Sequence, residues 1–411
     1  MLMKRPAELN ATKRYSICLV SDDFLPSATG VGAHLQVVAA ELVKRGHRVS
    51  IITSRRPEQS EFEIWQGVKV YRAFTIKLAG FYQALPSVSF VKNIFKDVQP
   101  DIVHFHYLGF LLLRTLKIAK EFGLPTVYTY HMSEEHLTQP FFMRPFRSLI
   151  ANKIIKICNQ IHHVISVSKN LATQLPEKGI QSPIQYISNP VIFSEHTPTK
   201  SIKNESSFDI FFAGRLDPEK NIPYLLKAFQ MLLKTRPNAI LRIAGKGTQR
   251  SNLEKITKDL GIEAQVKFLG FLTHDELTEY YENCDVFVLP SIFETQGLVA
   301  MEAMWFSKPI IVTNRIVSAK ELVLHGKNGY IVDASLPEEL TNYLYTLSSD
   351  KNLCKAMGHA GRQMAQAYRP EIVMDALEEV YGSVERKTSR VKVVNDNKNN
   401  NPQKLSTING I

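Results

Sequence analysis

Cysteine is scarce in this 411-residue chain: Cys18, Cys158, Cys284 and Cys354 lie far apart, with no C-x-x-C and no histidine cluster at zinc spacing. That excludes a disulfide-stapled scaffold and a zinc module, and leaves the cysteines as core residues of a reduced, intracellular protein. Long apolar runs are missing too. No stretch reaches the ~18 residues of a membrane span, and Arg114 interrupts the best candidate, Leu108 to Leu116. Lys4 and Arg5 are followed by P-A-E-L-N rather than an apolar segment, so no secretory leader is expected. Acidic residues are absent from His136 to Pro176, which carries Arg144, Arg147, Lys153, Lys156 and Lys169. No recognisable nucleic-acid motif accompanies that charge, so a nucleic-acid partner is not expected.

What is present describes a globular protein. Hydrophobic residues make up 44% and charged residues 22%, and the length exceeds one ordinary core, so two domains are expected. The net charge of +11 is unevenly placed: +10 over residues 1–200, −4 over 201–385 and +5 over the last 26. The basic half reads either as attraction to anionic lipid or an acidic acceptor, or as a solvated face with no partner.

Short apolar runs alternate with helical stretches along the chain. Tyr15–Val20, a loop through Gly30-Val31-Gly32, a helix over His34–Arg45 and a strand over Val49–Thr53 form the first such unit. Ile102–Phe105, Leu111–Phe122 and Thr126–Tyr130 repeat it, and a second series begins at Ile210. This pattern predicts parallel sheets covered on both faces, with the loops after the strands gathered on one binding edge. The expected fold class is α/β: two tandem doubly wound, Rossmann-like domains facing a cleft. Boundaries are set at 1–193 for the acceptor-side domain, 194–207 for a polar linker and 208–370 for the nucleotide-binding domain. A terminal helix over 371–386 is open to packing back on the first domain, and 387–411 is a basic tail too polar to fold.

Two motifs carry chemistry. After the strand-like I-F-F, Gly214-Arg215-Leu216-Asp217-Pro218-Glu219-Lys220-Asn221 turns tightly and presents an arginine fork and a lysine, cations suited to a diphosphate. Asp217 or Asn221 is the candidate cap of the following helix. After V-F-V-L-P, E-T-Q-G-L-V-A-M-E places Glu294 in a loop and Glu302 on the second turn of a helix starting near Gly297 or Leu298. Two carboxylates suit vicinal sugar hydroxyls, and the helix N-terminus suits a phosphate. Gly245-Lys246-Gly247 is a further phosphate or nucleotide loop, weak alone. The Gly30–Gly32 segment does not complete a dinucleotide fingerprint, because Leu35 stands where glycine is required. His104-x-His106 would put two histidines on one side of a strand end, but no third metal ligand accompanies them.

E-T-Q-G-L-V-A-M-E and G-R-L-x-x-x-K-N resemble the E-x7-E and cation blocks of family 4 (group 1) retaining glycosyltransferases with the GT-B fold. The resemblance runs from Tyr15 to about Glu385. It implies that Arg215 and Lys220 bind the donor diphosphate, with Gly214 at the turn before them. Glu294 would hold the transferred sugar, and Gly297, Leu298 and Val299 would give backbone N–H groups. Glu302 would bind the ribose, and Gly30 and Gly32 would form a glycine-rich loop facing the diphosphate and the acceptor. His131, in Y-T-Y-H, would sit near the anomeric carbon, so His131, Glu294, Arg215 and Lys220 form the catalytic set. Gly245 and Gly247 join the donor side, and His106 and Tyr130 are acceptor-side candidates.

The resemblance implies a nucleotide-sugar substrate, UDP- or GDP-linked, and no cofactor. No D-x-D occurs anywhere, so no metal-bridged diphosphate is expected. The acceptor is expected to be a membrane lipid or envelope glycan precursor, with the enzyme cytoplasmic and peripheral at the inner membrane face. A helix over Phe146–Ile157, with Phe146, Leu149, Ile150 and Ile154 on one stripe, is the candidate docking element. A soluble acceptor, or a nucleotide-sugar epimerase of the same fold, stays open.

Overall fold

The structure, a computed structural model, describes residues 13–25, 30–78, 81–131, 145–191 and 207–399. The chain divides into two compact units. The first spans 1–129, 157–164 and 375–411, and the second spans 130–156 and 165–374.

The first half runs β1 (Ser16–Val20), α1 (Gly30–Lys44), β2 (Arg48–Ser54), β3 (Phe62–Trp65), β4 (Val68–Ala73), β5 (Thr75–Leu78), β6 (Phe81–Ala84), α2 (Val88–Val98), β7 (Ile102–Phe105), α3 (Phe110–Glu121), β8 (Thr126–Tyr130), α4 (Arg147–Cys158), β9 (His163–Ser166), α5 (Lys169–Glu177) and β10 (Ile184–Tyr186). An eight-stranded sheet has the order β10-β9-β8-β7-β1-β2-β4-β3. β1 pairs in parallel with both β2 and β7, so the order reverses there. Every residue of β1 is buried, as helices on both faces require. The helix after β1 begins at Gly30, four residues earlier than the sequence reading has it. Both glycines therefore lie in its first turn rather than in an open loop, and residues 26–29 before it lie outside the described residues.

The second half runs β11 (Phe208–Ala213), a 3₁₀ turn (Pro218–Lys220), α6 (Ile222–Leu233), β12 (Ala239–Ala244), α7 (Arg250–Asp259), β13 (Val266–Gly270), α8 (His274–Asn283), β14 (Val286–Leu289), α9 (Leu298–Trp305), β15 (Ile310–Thr313), α10 (Ala319–Leu322), β16 (Gly329–Val332), α11 (Pro337–Ser349), α12 (Lys351–Ala365) and α13 (Pro370–Asn399). Its six strands are all parallel, in the order β13-β12-β11-β14-β15-β16. This is the doubly wound order, with the switch point between β11 and β14. Leucine, isoleucine and phenylalanine side chains of these strands and of α6, with Ala300, Met301, Ala303 and Met304 of α9, form one continuous core.

Two boundaries differ from expectation. Residues 165–191 group with the second unit because polar contacts fasten them there. Glu321 accepts from Ser168 Oγ (2.6 Å) and from the N–H groups of Lys169 (3.0 Å) and Asn170 (2.9 Å). Gln296 accepts from the Asn189 N–H (3.1 Å) and donates to Ser188 Oγ (2.6 Å). At the other end, α13 continues to Asn399, through 387–399 that the composition assigned to a tail. A helix already nucleated extends at little cost per residue, even through polar sequence. From Asp375 on, this helix belongs to the first unit. There Arg45 bonds Asp375 (2.6 Å) and Glu378 (3.3 Å), and Tyr381 Oη meets His104 Nδ1 (2.8 Å). The expected linker, apart from Ser207, and residues 400–411 lie outside the described residues.

Candidate active site

In the second unit the cations and carboxylates singled out in the sequence meet at the switch point. Gly214 and Arg215 leave the C-terminal end of β11, and Glu294 lies in the loop leaving β14. Lys220 Nζ is ion-paired with Glu294 Oε2, both side chains being largely buried (13% and 22% exposed). Arg215 is half exposed (53%) and bonded to both Asp217 and Glu219. Its fork is therefore held from behind while one side faces solvent. A phosphate arriving here meets two cations already oriented, and must compete with carboxylates for them.

Asp217 does not cap a helix with its side chain. Its carboxylate instead spans two loops, accepting from Thr248 N–H and Thr248 Oγ1 (both 2.9 Å) as well as from Arg215. Nor does Asn221 supply a side-chain cap for α6. The Gly245–Gly247 loop packs backbone to backbone against the Arg215 loop: Leu216 N–H reaches Lys246 O (2.9 Å), and Gln249 N–H reaches Leu216 O (2.8 Å). A Cβ at Gly245, whose φ is +138°, would collide with the Gly214 carbonyl oxygen. The closeness of these loops explains the glycine there.

Gly297, at φ +78°, is the N-cap of α9. The first turn leaves the N–H groups of Leu298 and Val299 facing out of the helix end, an arrangement that favours an anion. Glu302, on the second turn, is half-buried. It accepts a hydrogen bond from Tyr281 Oη (2.7 Å). Burial raises its carboxyl to about 7, the Tyr281 hydrogen bond acting in the opposite direction.

His131 also lies in the second unit, where its carbonyl accepts from Thr295 Oγ1 (2.8 Å), next to Glu294. Burial lowers its imidazole to about 3, so the ring is neutral at physiological pH and is not a proton donor there. Tyr130, just before it, is buried in β8. In the first unit, His106 follows β7 and is buried, its ring 4.0 Å from His104 and 5.2 Å from His34. Gly30 and Gly32 open α1 beside β1. These first-unit residues collect at the β1/β7 switch point of their own sheet.

The sequence signature described as "Glycosyltransferase Family 4" matches residues 28–195, and that described as "Glycosyl transferases group 1" matches 193–364. The chain belongs to the family 4, group 1 glycosyltransferases. As a glycosyltransferase of this group it moves a sugar from a nucleotide sugar. It is 26% identical to the alpha-monoglucosyldiacylglycerol synthase of Streptococcus pneumoniae over 74% of this chain and 73% of that one. The Acholeplasma laidlawii protein of the same name is also 26% identical, over 89% and 96%. Among solved structures, sucrose-phosphate synthase from Thermosynechococcus elongatus superimposes with a TM-score of 0.77 at 20% identity, covering 90% of this chain and 98% of that one. Anabaena HepE in complex with UDP and glucose gives 0.72 at 19%, covering 90% and 100%. The fold is GT-B. Among the described residues, no helix is long and apolar enough to cross a membrane.

The sequence reading named Asp217 and Glu219 as members of the cation motif but missed their pairing with Arg215, and it missed Tyr281 altogether. Asp217 and Glu219 stand two and four residues after Arg215, a spacing that places carboxylates beside an arginine at a turn and was there to be read. Tyr281 lies 21 residues before Glu302 on another helix, and no local pattern announces that pairing.

Proposed function

We propose that this glycosyltransferase moves a hexose, with retention of anomeric configuration, from a UDP- or GDP-sugar to a hydroxyl of a membrane lipid or envelope glycan precursor. The observation that carries the donor side is the convergence of Arg215, Lys220 and the α9 N-terminus on the loop of Glu294 at one switch point. As the nucleotide diphosphate leaves, negative charge grows on its β-phosphate, and fixed cations and N–H groups aimed there stabilise the transition state. Glu294 holds hydroxyls of the transferred sugar, Glu302 those of the ribose, and Gly245 and Gly247 shape the nucleotide side. Attack on the same face, with the departing phosphate taking the acceptor's proton, needs no protein base. That fits His131, whose buried imidazole, lowered to about 3, is too weak a base to take the acceptor's proton. Arg215 and Lys220 then fill the role a metal would have, and Gly30, Gly32 and His106 serve the acceptor side.

The lipid acceptor is supported by the two glucosyldiacylglycerol synthases among the relatives and by α4. Phe146 (51% exposed), just before this helix, and Leu149 (67%) on it stand outward, with Lys153 exposed on the same helix, whereas Ile154 is buried. The expected stripe therefore splits, its first half facing solvent and its last residue facing the core. Arg144 lies outside the described residues.

The test is nucleotide release from a panel of UDP- and GDP-sugars, with and without anionic liposomes containing diacylglycerol. Lipid-stimulated release that disappears in Glu294→Ala supports the proposal. Release stimulated only by soluble acceptors would overturn the lipid assignment, and no release from any donor would overturn the whole reading.

A further inference from the structure

Glu302 does not sit alone on α9. Tyr281, on α8, directs its hydroxyl at Glu302 Oε2 from 2.7 Å, which occupies one carboxylate oxygen and leaves the other to accept. The tyrosine ring is itself fixed on several sides. It stacks on Phe306 at 5.7 Å with an interplanar angle of 5°, meets Phe211 edge-on at 5.2 Å and packs against Phe287 at 5.7 Å. A buried ring so constrained has little rotamer freedom, so its hydroxyl is a fixed donor.

We propose that Tyr281 is a positioning residue for donor recognition, holding Glu302 turned so that its second oxygen accepts from a vicinal diol of the nucleotide's sugar. The inference rests on the donor-site reading above and adds to it a residue from outside the loops that carry the family motifs. Two opposing influences set the protonation of Glu302: burial favours the neutral acid, and the Tyr281 hydrogen bond favours the carboxylate. Three titratable groups of the neighbouring segments are bonded to backbone carbonyls. Cys284 bonds the Tyr281 carbonyl (3.4 Å), Lys308 bonds Glu282 O (2.8 Å), and Arg362 of α12 bonds Trp305 O (2.8 Å). A carboxyl poised at about 7 makes nucleotide affinity sensitive to pH through the physiological range, and Tyr281 sets where that sensitivity falls.

The experiment is a titration of UDP and of GDP into wild-type protein and Tyr281→Phe across pH 6 to 9, with the thermal unfolding of both. Phenylalanine keeps the aromatic packing and removes only the donor. The expected result is affinity that falls with decreasing pH in both proteins, with the midpoint of Tyr281→Phe displaced upward. The variant should bind about tenfold more weakly at pH 7, with the gap narrowing toward pH 9. In a Glu302→Gln background the difference made by Tyr281→Phe should vanish, leaving only the pH dependence of the nucleotide's own terminal phosphate. Superimposable wild-type and Tyr281→Phe curves would overturn the inference while leaving the donor site standing, and so would an equal loss at every pH. Failure of the wild-type protein to bind either nucleotide would instead overturn the donor-site reading on which the inference rests.

Discussion

The two sheets present their switch points very differently. At the β11/β14 edge the second unit gathers Arg215, Lys220, Asp217, Glu219 and Glu294, and the cations are bonded to carboxylates. At the β1/β7 edge the first unit gathers glycines, the buried His104 and His106, and Asp22. Asp22 accepts from Ala84 N–H (2.8 Å), and burial raises it to about 7. One edge is preorganised with opposed charges, as a site for a charged leaving group requires. The other has only the looser Arg56–Asp23 pair (3.6 Å) beside Asp22 among the described residues, and on the proposed reading it serves a neutral hydroxyl acceptor. If the proposed assignment holds, the contrast teaches that the donor chemistry is written in charge and the acceptor chemistry in shape.

The largest expected effect breaks the charged edge. Glu294→Ala and Lys220→Ala should each reduce transfer by roughly 10²–10³, measured as nucleotide release. Because the two side chains are paired, the double variant should lose less than the sum of the single losses. Gly245→Ala tests whether the loops of this edge must touch. The added carbon meets the Gly214 carbonyl at an unfavourable φ, and a loss of about 2–4 kcal/mol in chemical denaturation is expected.

A smaller effect separates the edges by pH. Asp22 is raised from an ordinary value of 3.8 to about 7. Its neutral form therefore contributes stability that is fully present below pH 3.8 and is lost as pH rises through 7. Asp22→Asn should flatten the fall in stability between pH 5 and pH 8, by about 2 kcal/mol or less. An unchanged slope would show that Asp22 does not govern it. The smallest effect concerns α4: Lys153→Glu with Lys156→Glu should weaken binding to anionic liposomes several-fold, with nucleotide affinity unaltered.

The same contrast explains what could be read from the sequence. Arg215, Lys220, Glu294 and Glu302 stand in compact blocks whose residue types state their chemistry, and the fold class follows from strands such as I-F-F and V-F-V-L alternating with helices. The early start of α1 was less legible, because glycines read as a loop whether or not a helix begins on them. β16, β10 and the strands between Phe62 and Ala84 were missed, since three to six residues leave too little periodicity. The Tyr281–Glu302 bond and the Glu321 cap on α5 join distant segments, and only the tertiary structure brings them together. For Tyr130 and His106 the sequence could not report burial, which places both side chains among core residues.

The most direct test of the central claim is a calorimetric titration of UDP and GDP into wild-type protein, Lys220→Ala and Arg215→Ala. The account predicts binding of at least one nucleotide by the wild type, weakened at least tenfold in both variants. Undiminished affinity in either variant would contradict the assignment of the charged edge to the donor diphosphate.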